Sequence, residues 1–535
     1  GTNDLAIRGK DSTKGNVQQL YAYRIEGGDS ILKNHIDTAA ENARYTSHRT
    51  QNDLINLSEQ ALREDIVKAA NNAVGFSIIA DETADIAGTE QLSLGVRFVD
   101  TSSEKAMIRE EFLGFSPLKD MDAATISDCI IQHCKTFGLL LNNLLGQGYD
   151  GCSTMAGKEN GVQAKIRSIY PKAAFVHCAS HRLNLVVNDL NNVAVIRNTI
   201  GTIKAIITFF RESPKRRSSV PNIPLLCETR WTSKYKSIRI FSSKFEDIYC
   251  QLEEFSLHAS GNTRQTAHQL YCSSKSSTFL FCLNIISQYS AILEPVTQAL
   301  QAVQVDLPEV QLQVQNLLSV VKLHRGDSDN YFRDIFEKTV QLAQKVDIEL
   351  IIPRQCGRQK HRSNPGTISV EEYFRQTVYI PYLDSLISSM VSRFCEANSA
   401  QFNLALLHPS KLCKLNRQQF KDTMSTIYQV YHIDNFESEA LSWFDFWKIR
   451  EYKSSQDFID LLPFTKFYPA VRYALLVLLT LPATTCTVER SFSTLRRVKT
   501  WLRSTMSDER LSGLCMLYVH RAKVNCKKKT LWTKL

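Results

Sequence analysis

At residues 76–81 the chain reads Phe76-Ser77-Ile78-Ile79-Ala80-Asp81, a short apolar run with β-branched residues that ends in a carboxylate. Such a run is typical of a buried strand. Residues 91–98 then alternate apolar and polar side chains with a period of two, and Gly88 lies in the turn between the two segments. A third, less regular strand is expected over 107–115. These three segments predict a hairpin extended into a meander.

The periodicity changes after the third strand. We expect a helix through Ile126, Ile130 and Cys134, a strand over 140–150, a helix over 161–169, a strand over 173–178 and one long helix from about His181 to Phe210. Residues 235–470 are almost wholly helical in pattern, and a helical apolar stripe runs from Val488 to Leu502. The order predicts an α/β core with a mixed five-stranded sheet, combined with an all-α part.

Composition excludes several classes of protein. Hydrophobic residues make up 43% and aromatic residues 9%, which excludes disordered, collagen-like and coiled-coil chains. The 14 cysteines are scattered and form no Cys-x-x-Cys pair, which favours a reducing interior, the cytosol or nucleus. No run reaches the roughly 18 apolar residues that a membrane span needs, so no membrane partner is expected.

Positive charge is concentrated at the C-terminal end. The formal net charge is +10, and residues 490–535 carry all of this excess, with twelve basic and two acidic side chains. Two smaller basic islands lie at Lys215-Arg216-Arg217 and at 354–362. A basic loop is usually only solvated surface, but three basic segments in one chain favour a nucleic-acid partner, whose phosphates lysine and arginine neutralise.

Three carboxylates stand at the ends of predicted elements. Asp81 ends the first strand, Asp150 ends the fourth, and Glu489 opens the penultimate helix. Strand ends at one edge of a mixed sheet, capped by a helix, can bring such side chains together. Three hard oxygen ligands suit Mg²⁺ or Mn²⁺, and two such ions can support phosphodiester chemistry. A polyanion would lie along the predicted helix face formed by Glu489, Ser493, Arg496, Thr500 and Arg503.

Each carboxylate also has a structural alternative. An aspartate at a strand end is more often a turn or cap residue, and Asp150-Gly151 is a turn dipeptide by composition. Asp85 competes with Asp81 as the relevant acid. Glu489 near a helix start can merely complement the helix dipole. The residues alone leave these alternatives open.

Five motifs, in this order, resemble those of hAT-superfamily transposases. They are Ile79-Ala80-Asp81-Glu82-Thr83-Ala84-Asp85, Gly148-Tyr149-Asp150-Gly151, Cys178-Ala179-Ser180-His181-Arg182-Leu183-Asn184, Thr229-Arg230-Trp231, and Cys486-Thr487-Val488-Glu489-Arg490-Ser491-Phe492-Ser493-Thr494 followed by Leu511-Ser512. The resemblance covers about residues 15–525 and is greatest to the branch with the zinc finger MYM-type and 52 kDa repressor-like proteins. The C-terminal block is the most specific of the five.

The resemblance implies a ribonuclease-H-like catalytic core, interrupted by a large all-helical insertion. The implied organisation is an N-terminal helical DNA-binding or dimerisation segment (1–75), the first part of the core (76–234), the insertion (235–470), and the last part of the core with a dimerisation region and basic tail (471–535). Asp81, Asp150 and Glu489 match the family's Asp-Asp-Glu catalytic triad, which binds Mg²⁺ and accepts Mn²⁺.

The resemblance also implies DNA contacts. Trp231 matches a tryptophan that stacks on a flipped base, although a core aromatic is the alternative. His181 matches a position near the active-site phosphates. With Cys178 it lacks a second ligand pair for zinc, so a packed cysteine is preferred. Further DNA contacts are expected from Arg230, Arg354, Arg358, Lys360, His361, Arg362, Arg496, Arg497 and Arg503.

The implied function is a nuclear cut-and-paste DNA transposase. It would cleave double-stranded DNA at transposon ends, form hairpins on flanking DNA and join the ends to target DNA, acting as at least a dimer. A domesticated, catalytically silent DNA- or chromatin-binding regulator is the alternative, and a plain RNase-H-like nuclease is a third possibility. Family members usually carry an N-terminal zinc finger, but no cysteine precedes Cys129, so no such finger is expected in this sequence.

Overall fold

The computed structural model describes residues 15–40, 43–226, 231–354, 368–394, 403–450 and 457–526. The described residues divide into two compact units. One is drawn from Gly1–Cys178, Val303–Pro308 and Asn398–Leu535, and the other from Ala179–Ala302 and Glu309–Ala397. The domain boundaries that the resemblance implies at 75, 234 and 470 stay predictions.

A five-stranded sheet forms the centre of the first unit. Its strands are β1 (Phe76–Ala84), β2 (Glu90–Asp100), β3 (Met107–Pro117), β4 (Leu144–Tyr149) and β5 (Ala174–His177). The spatial order is β3-β2-β1-β4-β5. The first three strands are antiparallel, β4 is parallel to β1, and β5 is parallel to β4. Gly88 adopts a φ of 81° in the turn between β1 and β2, which glycine alone adopts freely. The predicted mixed five-stranded sheet is confirmed.

Helices make up most of the remaining described residues. Those before and around the strands of the first unit are α1 (Asn16–Glu26), α2 (Ser30–Thr38), α3 (His48–Asn72), α4 (Ala123–Phe137), α5 (Ser153–Ala156) and α6 (Val162–Ile169). Those of the second unit are α7 (Ala179–Asp189), α8 (Ala194–Arg211), α9 (Pro214–Ser219), α10 (Trp231–Ser243), α11 (Phe245–His258), α12 (Gly261–Ser274), α13 (Ser277–Leu300), α14 (Leu307–Gly326, in this unit from Glu309), α15 (Ser328–Lys345), α16 (Val370–Phe374) and α17 (Ile380–Phe394). The first unit resumes with α18 (Pro409–Leu412), α19 (Arg417–Tyr431), α20 (Phe436–Ile449), α21 (Pro469–Thr480), α22 (Cys486–Val498), α23 (Asp508–Val519) and α24 (Arg521–Cys526).

The two faces of the sheet are buried in different ways. On one face, apolar side chains of β1 and β2 join α3, α4 and α23 in a single apolar cluster. On the other face, the polar residues Ser93 and Arg97 are fully buried beneath α21 and α22. Arg97 donates to the Leu479 carbonyl at 3.2 Å and pairs with Glu110 at 2.6 Å. At Gly95 a Cβ would lie only 2.9 Å from Val488 Cγ1, so this glycine lets α22 approach the sheet.

The single helix expected from His181 to Phe210 is wrong. The structure has two helices, α7 and α8, bent by 106° at residues 190–193. The Asp189 carboxylate at the end of α7 is held by Arg393 at 2.9 Å, and Asn191 and Asn192 follow, which are weak helix formers. A distant ion pair and two asparagines therefore end the first helix.

The predicted helix through Leu502 is too long. Helix α22 ends at Val498, and Leu502 is 98% exposed rather than packed. Lys499 takes an extended backbone conformation and its side chain is buried. Thr500 and Arg503 consequently do not continue the helix face that begins at Glu489.

Helix α13 is the hydrophobic centre of the second unit. By length and composition it is the one helix in the described ranges that alone could cross a membrane, contrary to the expectation that no segment is apolar enough. Most of its residues are buried against other helices of this unit, and Phe281 stacks on Phe374 with ring centroids 4.2 Å apart. These contacts are those of a core helix.

Candidate functional site

The two aspartates stand at the same edge of neighbouring parallel strands. Ile79 of β1 pairs with Gly148 of β4, and Asp81 and Asp150 each follow two residues later. Because side chains alternate along a strand, both lie on the face that Ile79 and Gly148 share. Adjacent parallel strands thus place Asp81 beside Asp150.

Helix α22 brings the third carboxylate to this face. Asp81 pairs across β1 and β2 with Ser93, whose hydroxyl lies 2.8 Å from that of Ser491 on α22. Glu489 is in the first turn of the same helix, where its Oε1 accepts a hydrogen bond from Thr485 Oγ1 at 2.7 Å. This position also complements the helix dipole.

The three carboxylates interact electrostatically. Burial raises the pKa of Asp81 well above its usual value, and the negative charges of Glu489, Glu82 and Asp150 raise it further. The Glu82 N–H donates to Asp81 Oδ1 at 3.0 Å and opposes this shift only in part. Asp81 therefore lies near enough to both Asp150 and Glu489 for their charges to act on it.

Glu82 is a fourth carboxylate that the sequence interpretation gave no role. Burial, with the charges of Asp150 and Glu90, raises the pKa of Glu82 to about 7. Its Oε2 is buried without a hydrogen-bond partner in the described structure. Strand alternation places its side chain on the face opposite Asp81, so the pattern gave no reason to group the two acids.

The donor chemistry of Asp81, Asp150 and Glu489 fits a hard divalent cation. These three residues supply carboxylate oxygens, which are the ligands that Mg²⁺ prefers in proteins. Together with the neighbouring Glu82, these residues are called the acidic cluster. Within the described ranges, however, no three His, Cys, Asp or Glu side chains are close enough to hold a metal ion as they stand. The cluster therefore fits a cation by charge and donor type, and a bound cation would relieve its repulsion.

Asp85 has a different role from Asp81. It forms an ion pair with Lys499 at 2.6 Å, and the two side chains are 0% and 4% exposed. Burial acts to raise the pKa of Asp85, but Lys499 and the N–H groups of Ala87 and Thr89 together hold it below the usual value. Asp85 is a turn and ion-pair residue, which leaves Asp81 as the β1 carboxylate of the cluster.

Cys178 is a packed cysteine, as the sequence favours. It is buried at the end of β5, and its Sγ accepts the N–H of Thr485 at 3.3 Å. This contact joins β5 to the turn before α22. His177, which the sequence interpretation overlooked, packs over Gly151 so closely that no Cβ fits there. Glycine in the Asp150-Gly151 turn thus admits an imidazole beside the acidic cluster.

Comparison with known proteins shows similarity in two segments of the chain and to two longer proteins. Residues 3–161 match the family model described as ZMYM1/FAM200, RNase-like domain, and residues 438–522 match the hAT family C-terminal dimerisation region. The second match relates the C-terminal part of the chain to the hAT family. The chain is 25% identical over 538 residues to the human 52 kDa repressor of the inhibitor of the protein kinase, covering 95% of this chain and 70% of that protein. The mouse protein of the same name is 24% identical over 535 residues, covering 94% and 70%.

Only some of the basic residues expected to contact DNA lie in the described structure. Arg496 and Arg497 are exposed on α22, and Arg497 donates to the Tyr518 hydroxyl at 2.8 Å. Arg503 is half-buried in the turn after α22, Arg354 is exposed, and His181 is half-buried in α7 of the second unit. Trp231 begins α10, but its side chain lies outside the described structure, as do the residues Arg230, Arg358, Lys360, His361 and Arg362. All of these assignments stay predictions.

The matched hAT dimerisation region exposes large apolar side chains. Trp501 is 77% and Leu502 98% exposed in the turn after α22, and Phe467 and Ile449 are more than four-fifths exposed. Adjacent exposed apolar residues are typical of interaction surfaces. The match to the dimerisation region supports self-association of the chain.

Proposed function

We propose that this chain is a transposase-derived protein that binds double-stranded DNA as a homodimer in the nucleus and acts as a DNA- or chromatin-binding regulator. The observation that carries this proposal is the similarity to two proteins named as repressors, which extends over 94–95% of this chain and so includes both compact units. The dimerisation region and the exposed arginines of α22 support the dimer and the DNA partner.

The architecture is proposed to be an RNase-H-like core with an all-helical insertion. The strand order β3-β2-β1-β4-β5 and the RNase-like family match support the core. The helices within 179–302 and 309–397, which follow β5 in the chain and precede α22, support the insertion.

A second candidate function is an active cut-and-paste transposase. The presence of Asp81, Asp150 and Glu489, with the charges of the last two acting on Asp81, favours it specifically. These residues would hold Mg²⁺, or Mn²⁺ in its place, which when bound would activate the attacking oxygen and stabilise the leaving oxygen at a phosphodiester. In this proposal Trp231 stacks on a flipped base, and the basic residues predicted to contact DNA orient the backbone.

One experiment separates the two functions. Duplexes that bind the chain are selected from a random pool, labelled and incubated with the chain and Mg²⁺. A regulator retains the duplex without nicked, hairpin or joined products, whereas a transposase gives such products and loses them in Asp81→Asn. Failure to select any duplex would contradict both proposals.

The exposed apolar turn predicts where the dimer forms. Leu502→Glu is expected to raise the dimer dissociation constant by about tenfold or more, because a charge replaces an apolar contact at the interface. Sedimentation velocity over a concentration series measures it. The control is Leu140→Glu, since Leu140 is 56% exposed and lies outside the matched region. Equal dissociation constants for the two variants would exclude this turn from the interface.

A further inference from the structure

The second unit contains an open groove of about 910 Å³ between α10, α13 and α15. Its principal polar residues are Lys236 and Arg239 of α10, Asn284, Ser287 and Gln288 of α13, and Lys338 of α15. We call this set the basic groove. All three helices belong to the same compact unit.

The floor of the basic groove is a polar stripe on an otherwise apolar helix. Asn284, Ser287, Gln288 and Ala291 of α13 follow one another at helical spacing and therefore share one face. The remaining faces of α13 are buried in the core of the unit. Asn284 is fixed by its Nδ2, which donates to Thr339 Oγ1 at 2.9 Å. Asn284, Ser287 and Gln288 carry neutral polar side chains that can form hydrogen bonds with a polar ligand.

The charges of the basic groove favour an anion. Glu294, the one acidic residue among the described residues that line it, forms an ion pair with Arg239. Lys236 and Lys338 are exposed, and neither forms an ion pair within the described residues. Two ammonium groups thus remain uncompensated beside neutral donors, which makes the local potential positive.

The form of the basic groove favours a backbone ligand. It is open rather than enclosed, and the described residues that line it include no aromatic side chain on which a base would stack. Lysine ammonium groups and neutral hydroxyl or amide donors are the groups that contact phosphate oxygens in protein–DNA complexes. Lys236 is five residues after Trp231 on the same helix, which places it about 7.5 Å farther along the helix axis.

We propose that the basic groove binds the phosphodiester backbone of double-stranded DNA through Lys236 and Lys338. This rests on the proposed DNA-binding function and assigns to it a site on the second unit, separate from the arginines of α22. Helix α10 would then hold backbone phosphates a little more than one turn beyond the tryptophan predicted to stack on a base.

The salt dependence of DNA binding tests this site. The double variant Lys236→Gln/Lys338→Gln is compared with the unaltered full chain by fluorescence anisotropy on a labelled duplex, between 50 and 200 mM salt. Each phosphate contact contributes about −0.9 to the slope of log affinity against log salt. The slope is therefore expected to become shallower by about 1.8 in the double variant.

The control is a double variant that removes two positive charges outside the basic groove. Lys119→Gln/Lys322→Gln replaces two exposed lysines that lie outside the basic groove, and its slope is expected to stay close to that of the unaltered chain. An unchanged slope in the groove variant, or an equal loss in both double variants, would overturn the site while leaving DNA binding intact. Absence of duplex binding by the unaltered chain would overturn the proposed function together with the site.

Discussion

Lys499→Met is expected to lower the free energy of unfolding by about 3–5 kcal/mol near neutral pH, because it leaves a buried carboxylate without its cation. Lys499 and Asp85 are 2.6 Å apart, with side chains 4% and 0% exposed. Methionine keeps the unbranched stem of lysine, so the variant mainly removes the charge. Urea unfolding followed by circular dichroism measures the change.

The double variant Asp85→Asn/Lys499→Met is the control for charge. The substituted amide retains an oxygen in place of Asp85 Oδ1, which accepts the N–H groups of Ala87 and Thr89 at 2.8 and 3.2 Å. The double variant is expected to recover much of the lost stability, because no buried charge remains. A double variant as unstable as Lys499→Met would show that the loss comes from packing.

Low pH should remove the contribution of the Asp85–Lys499 ion pair to the free energy of unfolding. The folded pKa of Asp85 is lowered, so the ion pair stabilises the fold above the unfolded pKa of about 3.9 and the contribution is lost as pH falls through the folded pKa. The difference between the unaltered chain and Lys499→Met should therefore shrink below about pH 4. A difference that stayed constant from pH 7 to pH 3 would contradict the ion-pair explanation.

The ion pair also connects two parts of the acidic cluster. Asp85 comes directly after β1, which carries Asp81, and Lys499 comes directly after α22, which carries Glu489. Their contact fixes the end of the helix against the end of the strand. The stability of this pair is thus linked to the placement of the carboxylates.

Local periodicity was enough to predict the sheet. The alternation in β2 and the apolar run in β1 depend on residues one or two positions apart, and they correctly predicted the meander and the two later strands. The placement of Asp81 and Asp150 at one edge follows from the same elements, because parallel strands share their carboxyl ends. What the periodicity of single strands does not give is which strands pair with each other in the sheet.

Contacts between distant residues explain what the sequence did not predict. Asp85 and Lys499 are 414 residues apart, and the sequence showed Lys499 only as one of the twelve basic residues in 490–535. Asp189 and Arg393 are 204 residues apart, and their ion pair lies where the expected long helix breaks. In both places the ion pair joins residues far apart in the sequence, and a local sequence pattern cannot predict such a contact.

The polar residues of β2 are a further case in which local periodicity does not predict a long-range contact. Ser93 and Arg97 alternate with apolar residues as on a strand with one solvated face, yet both are fully buried. Their partners are a serine of α22 and a carbonyl of α21, more than 380 residues away. Alternation predicted the strand but not what covers its polar face.

Asp81→Asn is expected to stabilise the fold in metal-free buffer while it abolishes any DNA cleavage. Burial and the charges of Glu489, Glu82 and Asp150 raise the folded pKa of Asp81, so ionising it costs stability. An amide at this position removes one of the repelling charges. Loss of a metal ligand should reduce cleavage by about 10³-fold or more, since metal ions supply several kcal/mol of transition-state stabilisation.

The stability of the unaltered chain should decrease as pH rises, because buried carboxylates of the acidic cluster then ionise. The folded pKa of Glu82 is raised from 4.5 to about 7, so stability is expected to fall as pH rises between these values. The shift corresponds to roughly 3 kcal/mol as an upper limit. Thermal unfolding at pH 5, 6, 7 and 8 in the presence of a chelator measures the decline.

Mg²⁺ provides the decisive comparison, because its effect on stability needs no DNA substrate. A cation held by the acidic cluster offsets the repulsion, so millimolar Mg²⁺ should flatten the decline with pH in the unaltered chain and have a much smaller effect in Asp81→Asn. Asp120→Asn is the matched control, because Asp120 is an exposed carboxylate outside the cluster. Equal stabilisation of all three proteins would mean that Mg²⁺ acts elsewhere. A chain that binds DNA but shows no Mg²⁺ response would fit a silent regulator, whereas a response confined to proteins with Asp81 intact would favour the retained catalytic site.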